Sequence, residues 1–371
     1  MRADNGHCVR IRTCGCFLEL PPLRFGHGGT EVASRHFPET DFLSDKVIVV
    51  MPVAENCFKN ILVATDFSAF SNAALIQAVW LARTCGAGLV LAHAIDDLRR
   101  AAHMTSCKAK LDLLSGEGEL FQREIRHTSD QNLRHQINSI EATDLKISSE
   151  TLLGEAFVEV IHAVQQEGYD LVMTGTRGVS GWKQFFVGST AKRLIRKCPT
   201  AVWIVKAEHV QAPKVILAPT DFSDVSRKAV LKGLWLAEKS GAEFHLVHVI
   251  DSRDVREDLL EHIPPGSSVR DEINQEATQR LNAFLESFDC GSVNIVSHLT
   301  WGYPWQEIGR IAGKHNADLI TMGTVGRSGV KGVLLGNTAE RILDTCDCSI
   351  LTVKPDDFVS PISKATWPLH P

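Results

Sequence analysis

From Phe58 onward, apolar positions fall into short continuous runs that alternate with longer stretches of helical period. Asn60-Ile-Leu-Val-Ala-Thr reads as a buried strand ending in Asp66-Phe-Ser68. Ser71 to Arg83 spaces its apolar residues three and four apart and stops near Cys85-Gly86, the pattern of a helix closed by glycine. Gly88 to Ile95 is a second strand, Leu145 to Leu153 alternates as a third, Leu171 to Gly175 is a fourth and Ala201 to Val205 a fifth. A polar, mostly helix-compatible stretch runs from about Leu98 to Glu141, with an interruption expected at Gly116 and Gly118; Glu155 to Glu167 is helical. Strands alternating with helices predict the α/β class, with a parallel sheet covered on both faces.

The pattern then repeats. Thr65-Asp66-Phe67-Ser68 returns as Thr220-Asp221-Phe222-Ser223, Trp80-Leu-Ala82 as Trp235-Leu-Ala237 and His93 as His248, all at an offset of 155 residues. Further on the offset is 148: Gly154 matches Gly302, Asp170 matches Asp318, Cys198 matches Cys346 and Val205-Lys206 matches Val353-Lys354. The first copy therefore carries seven extra residues, all between His93 and Gly154. Two tandem domains follow, 56–206 and 214–355, joined by a linker at 207–213. Residues 1–55 lack a sustained period and are expected to be a disordered extension. Glu19 and Pro21 break the apolar run there, which therefore does not read as a signal peptide, and Met51 is the expected start of the protein. The tail 356–371, with Pro361 and Pro368, is expected to be loosely ordered.

Candidate chemistry lies after the fourth strand of each copy. Gly175, Gly178 and Gly188-Ser189-Thr190 are spaced Gly-x2-Gly-x9-Gly-Ser, and Gly323, Gly326 and Gly336-Asn337-Thr338 repeat the spacing. Glycines let backbone N–H groups approach a ligand without a Cβ in the way. A helix opening at the last glycine presents free N–H groups and its positive dipole end to an anion, with the Ser189 hydroxyl as an extra donor. The bland alternative is that the glycines make tight turns and Ser189 caps its helix; the matched pair of loops favours phosphate. Asp66 and Asp221 either face a ligand or cap the next helix, and Ser68 or Ser71 offers a competing cap for the first copy. His93 and His248 read as hydrogen-bonded strand-end histidines. Lys183 and Lys331 lie in mid-loop as solvated side chains within reach of a phosphate, and Arg177 and Arg327 occupy inequivalent places, which argues against a shared role.

Composition narrows the partners. A net charge of -5 over 371 residues, without a basic tract, argues against nucleic acid, and no apolar run approaches the roughly 18 residues that span a membrane. Ten scattered cysteines suggest free thiols rather than a disulfide framework. Cys14-Gly-Cys16 and Cys346-Asp-Cys348 have no matching second pair at zinc spacing. Enzyme signatures are missing: no Gly-Lys-Ser/Thr follows either loop, and there is no His-Glu-x-x-His, Gly-x-Ser-x-Gly or His-x-Gly-His. Neither loop comes with the paired carboxylates and metal ligands of phosphoryl transfer, so weak ATP hydrolysis is the most that is expected.

On the Asp that ends the first strand and the Gly-x2-Gly-x9-Gly-(Ser/Thr) loop after the fourth, each half resembles a universal stress protein domain, and the whole resembles the bacterial tandem members of that family. The resemblance implies two Rossmann-like five-stranded parallel sheets of strand order 3-2-1-4-5, with a ligand crevice where the order reverses between strands 1 and 4. It implies that ATP or a related adenine nucleotide, with or without Mg²⁺, binds there: the Asp takes the adenosine end and the loop with its Ser/Thr takes the phosphates. Carried over, these roles fall on Asp66, Gly175, Gly178, Gly188, Ser189 and Thr190, and on Asp221, Gly323, Gly326, Gly336, Asn337 and Thr338. Asn337 departs from the Ser/Thr of the pattern and makes the first copy the favoured site. The implied function is that of a cytoplasmic stress sensor or scaffold acting through protein partners, with no role for nucleic acid or membrane. The alternative is a nucleotide-free interaction module in which Ala201–Val205 and Ser349–Val353 pair; monomer and homodimer both stay open.

Overall fold

The computed structural model describes residues 12–13, 16–17, 58–95, 116–176, 187–206, 212–251, 268–326 and 335–363. The chain divides into two compact units, Met1–Val47 and Ile48–Pro371. In the first, β1 (Arg12–Thr13) pairs antiparallel with β2 (Cys16–Phe17), a short ladder in a segment expected to lack order. Met51 lies outside the described residues.

The second unit holds both repeats. Its first half comprises β3 (Asn60–Ala64), α1 (Ala69–Cys85), β4 (Gly88–Ile95), α2 (Gly116–Asn138), β5 (Ile147–Leu153), α3 (Ala156–Glu167), β6 (Leu171–Gly175), α4 (Ser189–Lys197) and β7 (Ala201–Val205). The second half runs β8 (Val215–Pro219), α5 (Asp224–Ser240), β9 (Glu243–Asp251), α6 (Ser268–Glu286), β10 (Ile295–Gly302), α7 (Pro304–Lys314), β11 (Leu319–Gly323), α8 (Asn337–Thr345) and β12 (Ser349–Val353). Of the two glycines expected to interrupt the long polar stretch, Gly116 opens α2 and Gly118 lies in its first turn, where it is tolerated, and Leu133 further along the same helix is buried. Ser68 and Ser223 accept the Ser71 and Ser226 N–H groups as N-caps of α1 and α5, and both helices end in a left-handed glycine, Gly86 or Gly241.

All ten strands form one sheet, ordered β10-β9-β8-β11-β12-β7-β6-β3-β4-β5. Each half is parallel and has the expected order 3-2-1-4-5. The halves meet where β12 pairs antiparallel with β7 through Ile350↔Ile204, Leu351↔Trp203 and Thr352↔Val202. Trp203 and Leu351 are equivalent positions in the repeat, so a local twofold passes between them. Two apolar cores, one on each face of the sheet, run without a break through both halves.

The joint is reinforced by an exchange of lysines. Lys206, following β7, donates to the Cys346 carbonyl at the end of α8; Lys354, following β12, donates to the carbonyls of Ile195 (2.5 Å) and Arg196 (3.2 Å) in the last turn of α4. Each cation thus meets the negative end of the other half's helix. Residues Asp356 to Ser363, expected to be loose, instead pack back across the joint: Phe358 lies 4.1 Å under the Lys354 ammonium, and the Gln165 amide donates to the Ile362 carbonyl at 3.1 Å.

Burial pushes Lys354 down to about 7, against the weaker opposing effect of the Cys198 thiol. An unfolded lysine keeps its proton up to about 10.4, so above pH 7 the unfolded chain binds more protons than the folded one and stability rises with pH. Cys198, pushed up to about 11 by burial, offsets this rise only above the roughly 8.5 at which an unfolded thiol ionises. Between pH 7 and 8.5 urea unfolding should show the wild type gaining on the order of 1.5 kcal/mol relative to Lys354→Met. An equal pH dependence in the two proteins would remove Lys354 as its source.

Candidate functional site

The turn after the first strand has the same side-chain-to-main-chain hydrogen bonds in both halves. Thr65 Oγ1 accepts the Phe67 N–H at 3.0 Å and Asp66 Oδ1 accepts the Ser68 N–H at 3.1 Å; Thr220 and Asp221 do the same for Phe222 and Ser223, each at 3.0 Å. Serine takes the helix cap, and each aspartate instead closes a turn onto the residue two positions on. The residue between is forced left-handed, with φ 63° at Phe67 and 66° at Phe222, a conformation costing a bulky side chain about 1–2 kcal/mol. Part of that cost is recovered by ring packing at 4.3 Å on His93 or His248. These histidines donate from Nδ1 to the Thr65 and Thr220 carbonyls at 2.7 and 2.8 Å, so they brace the turn from behind, as a hydrogen-bonded strand-end histidine should.

After the fourth strand the loop closes on itself. The Gly188 N–H donates to the Thr176 carbonyl at 2.6 Å, and the Gly336 N–H to the Thr324 carbonyl at 2.8 Å. Gly188 and Gly336 are the N-caps of α4 and α8, and neither helix receives a side-chain cap. Ser189, weighed as a cap, is instead the first residue of α4. The first-turn N–H groups of both helices are therefore left for solvent or an anion. The two ends differ in charge: the first turn of α4 has no acidic residue, whereas that of α8 carries Glu340, paired with Arg196.

In the second half these pieces surround one cleft of about 570 Å³ at the carboxyl ends of β8 and β11. Asp221, Gly323, Gly326, Gly336, Asn337 and Thr338, all six residues singled out in that copy, line it. A Cβ on Gly326 would come within 2.6 Å of Asp221 Oδ2, so loop and carboxylate are in close apposition across the cleft. The first glycine has a different reason to be glycine: a Cβ on Gly175 would lie 2.5 Å from the Phe70 carbonyl carbon, and one on Gly323 2.8 Å from Val225 Cγ1. In the first half Asp66 lies two residues beyond β3, Gly175 ends β6, Gly188 caps α4, and Ser189 and Thr190 open it. Gly178, Arg177 and Lys183, like Arg327 and Lys331 of the second half, lie outside the described residues. Pro304 and Ile308 of α7 and Val247, Val249 and Asp251 of β9 also line the cleft without having been singled out. Their contribution follows from α7 covering β9, a tertiary contact that carries no local motif.

Over residues 58–206, and again over 213–354, the sequence matches the model of the universal stress protein family. The chain belongs to that family. Universal stress protein E of Escherichia coli K12 is 29% identical over 216 residues, spanning 56% of this chain and 67% of its own length. Universal stress protein E of Photorhabdus laumondii is 24% identical over 327 residues, 83% of this chain and 98% of its own. Among solved structures, a protein of unknown function from Pseudomonas aeruginosa PAO1 superposes with a TM-score of 0.55 at 20% identity, over 82% of this chain and 95% of its own. A universal stress protein from Archaeoglobus fulgidus gives 0.51 at 20%, over 80% and 98%. At such identity the likeness concerns the fold. Among the described residues no helix is long and apolar enough to cross a membrane.

Proposed function

We propose that this chain is a cytoplasmic stress-response protein that binds ATP or a related adenine nucleotide and acts as a sensor or scaffold for protein partners. The observation that carries the reading is the cleft at the switch point of the second half, where a carboxylate, a glycine loop and an uncapped helix N-terminus converge. Its volume lies in the range of small-molecule sites. Asp221 would take the adenosine end, and Gly326, Gly336, Asn337 and Thr338 the phosphates, with any Mg²⁺ brought by the nucleotide. Asp66, Gly175, Gly178, Gly188, Ser189 and Thr190 would form the matching site of the first half. Electrostatics favour that first site, since α4 offers a hydroxyl at Ser189 and no first-turn carboxylate.

The test is the nucleotide content of natively purified protein after heat denaturation, read by chromatography and mass. We expect ATP or AMP in the wild type and, in Gly188→Val, loss of the share held by the first half, with affinity of that site for added ATP falling about tenfold or more, equivalent to ~1.4 kcal/mol. Gly336→Val reports on the second site in the same way. The β7–β12 joint favours a second reading, a nucleotide-free interaction module. Wild type that carries no nucleotide and takes up none from added ATP would select that module.

A further inference from the structure

At the other end of the second half, away from the cleft, three imidazoles converge. His245 stands near the start of β9, His298 is on neighbouring β10, and His315 is the C-cap of α7. Register places His245 opposite Val296 and His298 opposite Val247, so both side chains point to the face that α7 covers. His245 Nδ1 lies 2.8 Å from His298 Nε2, and the His315 ring centroid is 4.4 Å from that of His245 and 5.1 Å from that of His298. Among the described residues this is the one group whose donor atoms, all within 4.8 Å of one another, are disposed to share an ion.

We propose that His245, His298 and His315 form a binding site for a borderline divalent transition metal of the zinc class. Imidazole nitrogens suit such ions, and three protein ligands leave a fourth position for water or a further group. Zinc–nitrogen bonds of about 2.05 Å in a tetrahedron separate ligands by about 3.4 Å, so the His245–His298 pair opens by roughly half an ångström. Glu243 Oε1 lies 2.6 Å from His245 Nε2. That carboxylate holds the Nε2 proton and turns the Nδ1 lone pair toward the partners, the arrangement that orients metal-bound histidine. In the metal-free protein one proton sits between His245 Nδ1 and His298 Nε2, and the ion takes its place.

The repeat supplies an internal comparison. The positions equivalent to His245, His298 and His315 are Val90, Glu150 and Glu167, so the shared architecture does not require the three histidines. The site would tie the C-terminal end of α7 to β9 and β10, while Pro304 and Ile308 at the other end of the same helix wall the cleft.

The experiment is a cobalt(II) titration of the chelator-stripped, reduced full chain, followed by competition with zinc. We expect one saturable site whose visible d–d bands lack thiolate-to-cobalt charge transfer. His298→Gln and His315→Gln should weaken it by more than the roughly 10–100-fold expected for Glu243→Gln, which removes only the orienting carboxylate. Zinc should raise the thermal midpoint of the wild type but not of His315→Gln, a substitution at a partly exposed helix cap. Unchanged affinity in both histidine variants, a thiolate charge-transfer band, or no saturable binding in the wild type would each overturn the site.

Discussion

Replacing Trp203 by alanine should cost about 3–5 kcal/mol in equilibrium unfolding, enough to bring the whole second unit near its stability limit. Trp203 is 1% exposed and sits on β7 where the two halves meet, paired with Leu351 across the local twofold. Its indole N–H has no hydrogen-bond partner among the described residues, so its contribution comes from apolar packing alone. Trp203→Phe should therefore retain most of the stability that Trp203→Ala loses. The alanine variant should also lower unfolding of both halves together, because the core on that face runs through both. A cost under about 1 kcal/mol for Trp203→Ala would mean that the joint is not part of one continuous core.

The joint also selects its own partner. On α4 the facing residues are Lys192 and Arg196; at the equivalent positions of α8 stand Glu340 and Asp344. Lys192 pairs with Asp344 at 2.5 Å and Arg196 pairs with Glu340. These side chains are a third to a half exposed, so each pair adds little stability. Their value is in discrimination. Two copies of α4 meeting about a true twofold would set cation against cation, and two copies of α8 anion against anion, whereas α4 on α8 is complementary. A chain built this way favours pairing unlike halves over pairing like ones.

Much of the fold was legible because the burial of parallel strands writes continuous apolar runs into the sequence, as at Leu171–Gly175 and Ala201–Val205. The 148-residue offset even identified Trp203 and Leu351 as equivalents, which is what their pairing about a twofold requires. The turn at Asp66 was legible in part: Ser68 was among the candidate caps, but the left-handed Phe67 was not foreseeable, since phenylalanine has no local preference for that conformation. Lys206 and Lys354 were visible only as matching letters. Which helix end each would reach depends on the antiparallel joint, a contact made across more than a hundred residues. The three-histidine cluster was invisible for the same reason, its members being scattered over two strands and a helix end with no ligand spacing in sequence.

Gly175→Ala should destabilise the protein by about 3 kcal/mol, a larger effect than the same change at either of the other loop glycines tested beside it. The added Cβ would lie 2.5 Å from the carbonyl carbon and 2.6 Å from the carbonyl oxygen of Phe70, main-chain atoms in the first turn of α1 that cannot turn aside. At Gly323 the closest obstacle is Val225 Cγ1 at 2.8 Å, a side-chain atom in place of main chain, with the Val325 carbonyl oxygen at 3.3 Å, and about 1–2 kcal/mol is expected. At Gly336 the nearest atom is the Thr324 carbonyl oxygen at 3.5 Å, an ordinary contact, and its φ of -75° suits any residue. Alanine there should cost less than about 1 kcal/mol, the difference between glycine and alanine as an N-cap. Urea unfolding of the three variants would therefore separate glycines kept for helix-to-strand packing from glycines kept for access to the cleft. Loss of ligand in Gly175→Ala would report a displaced α1. Loss of ligand in Gly336→Ala, with stability preserved, would report the cleft itself, because only there does the fold leave room for a side chain that a bound phosphate would exclude. Equal stability losses at Gly175 and Gly336 would instead assign both glycines to architecture.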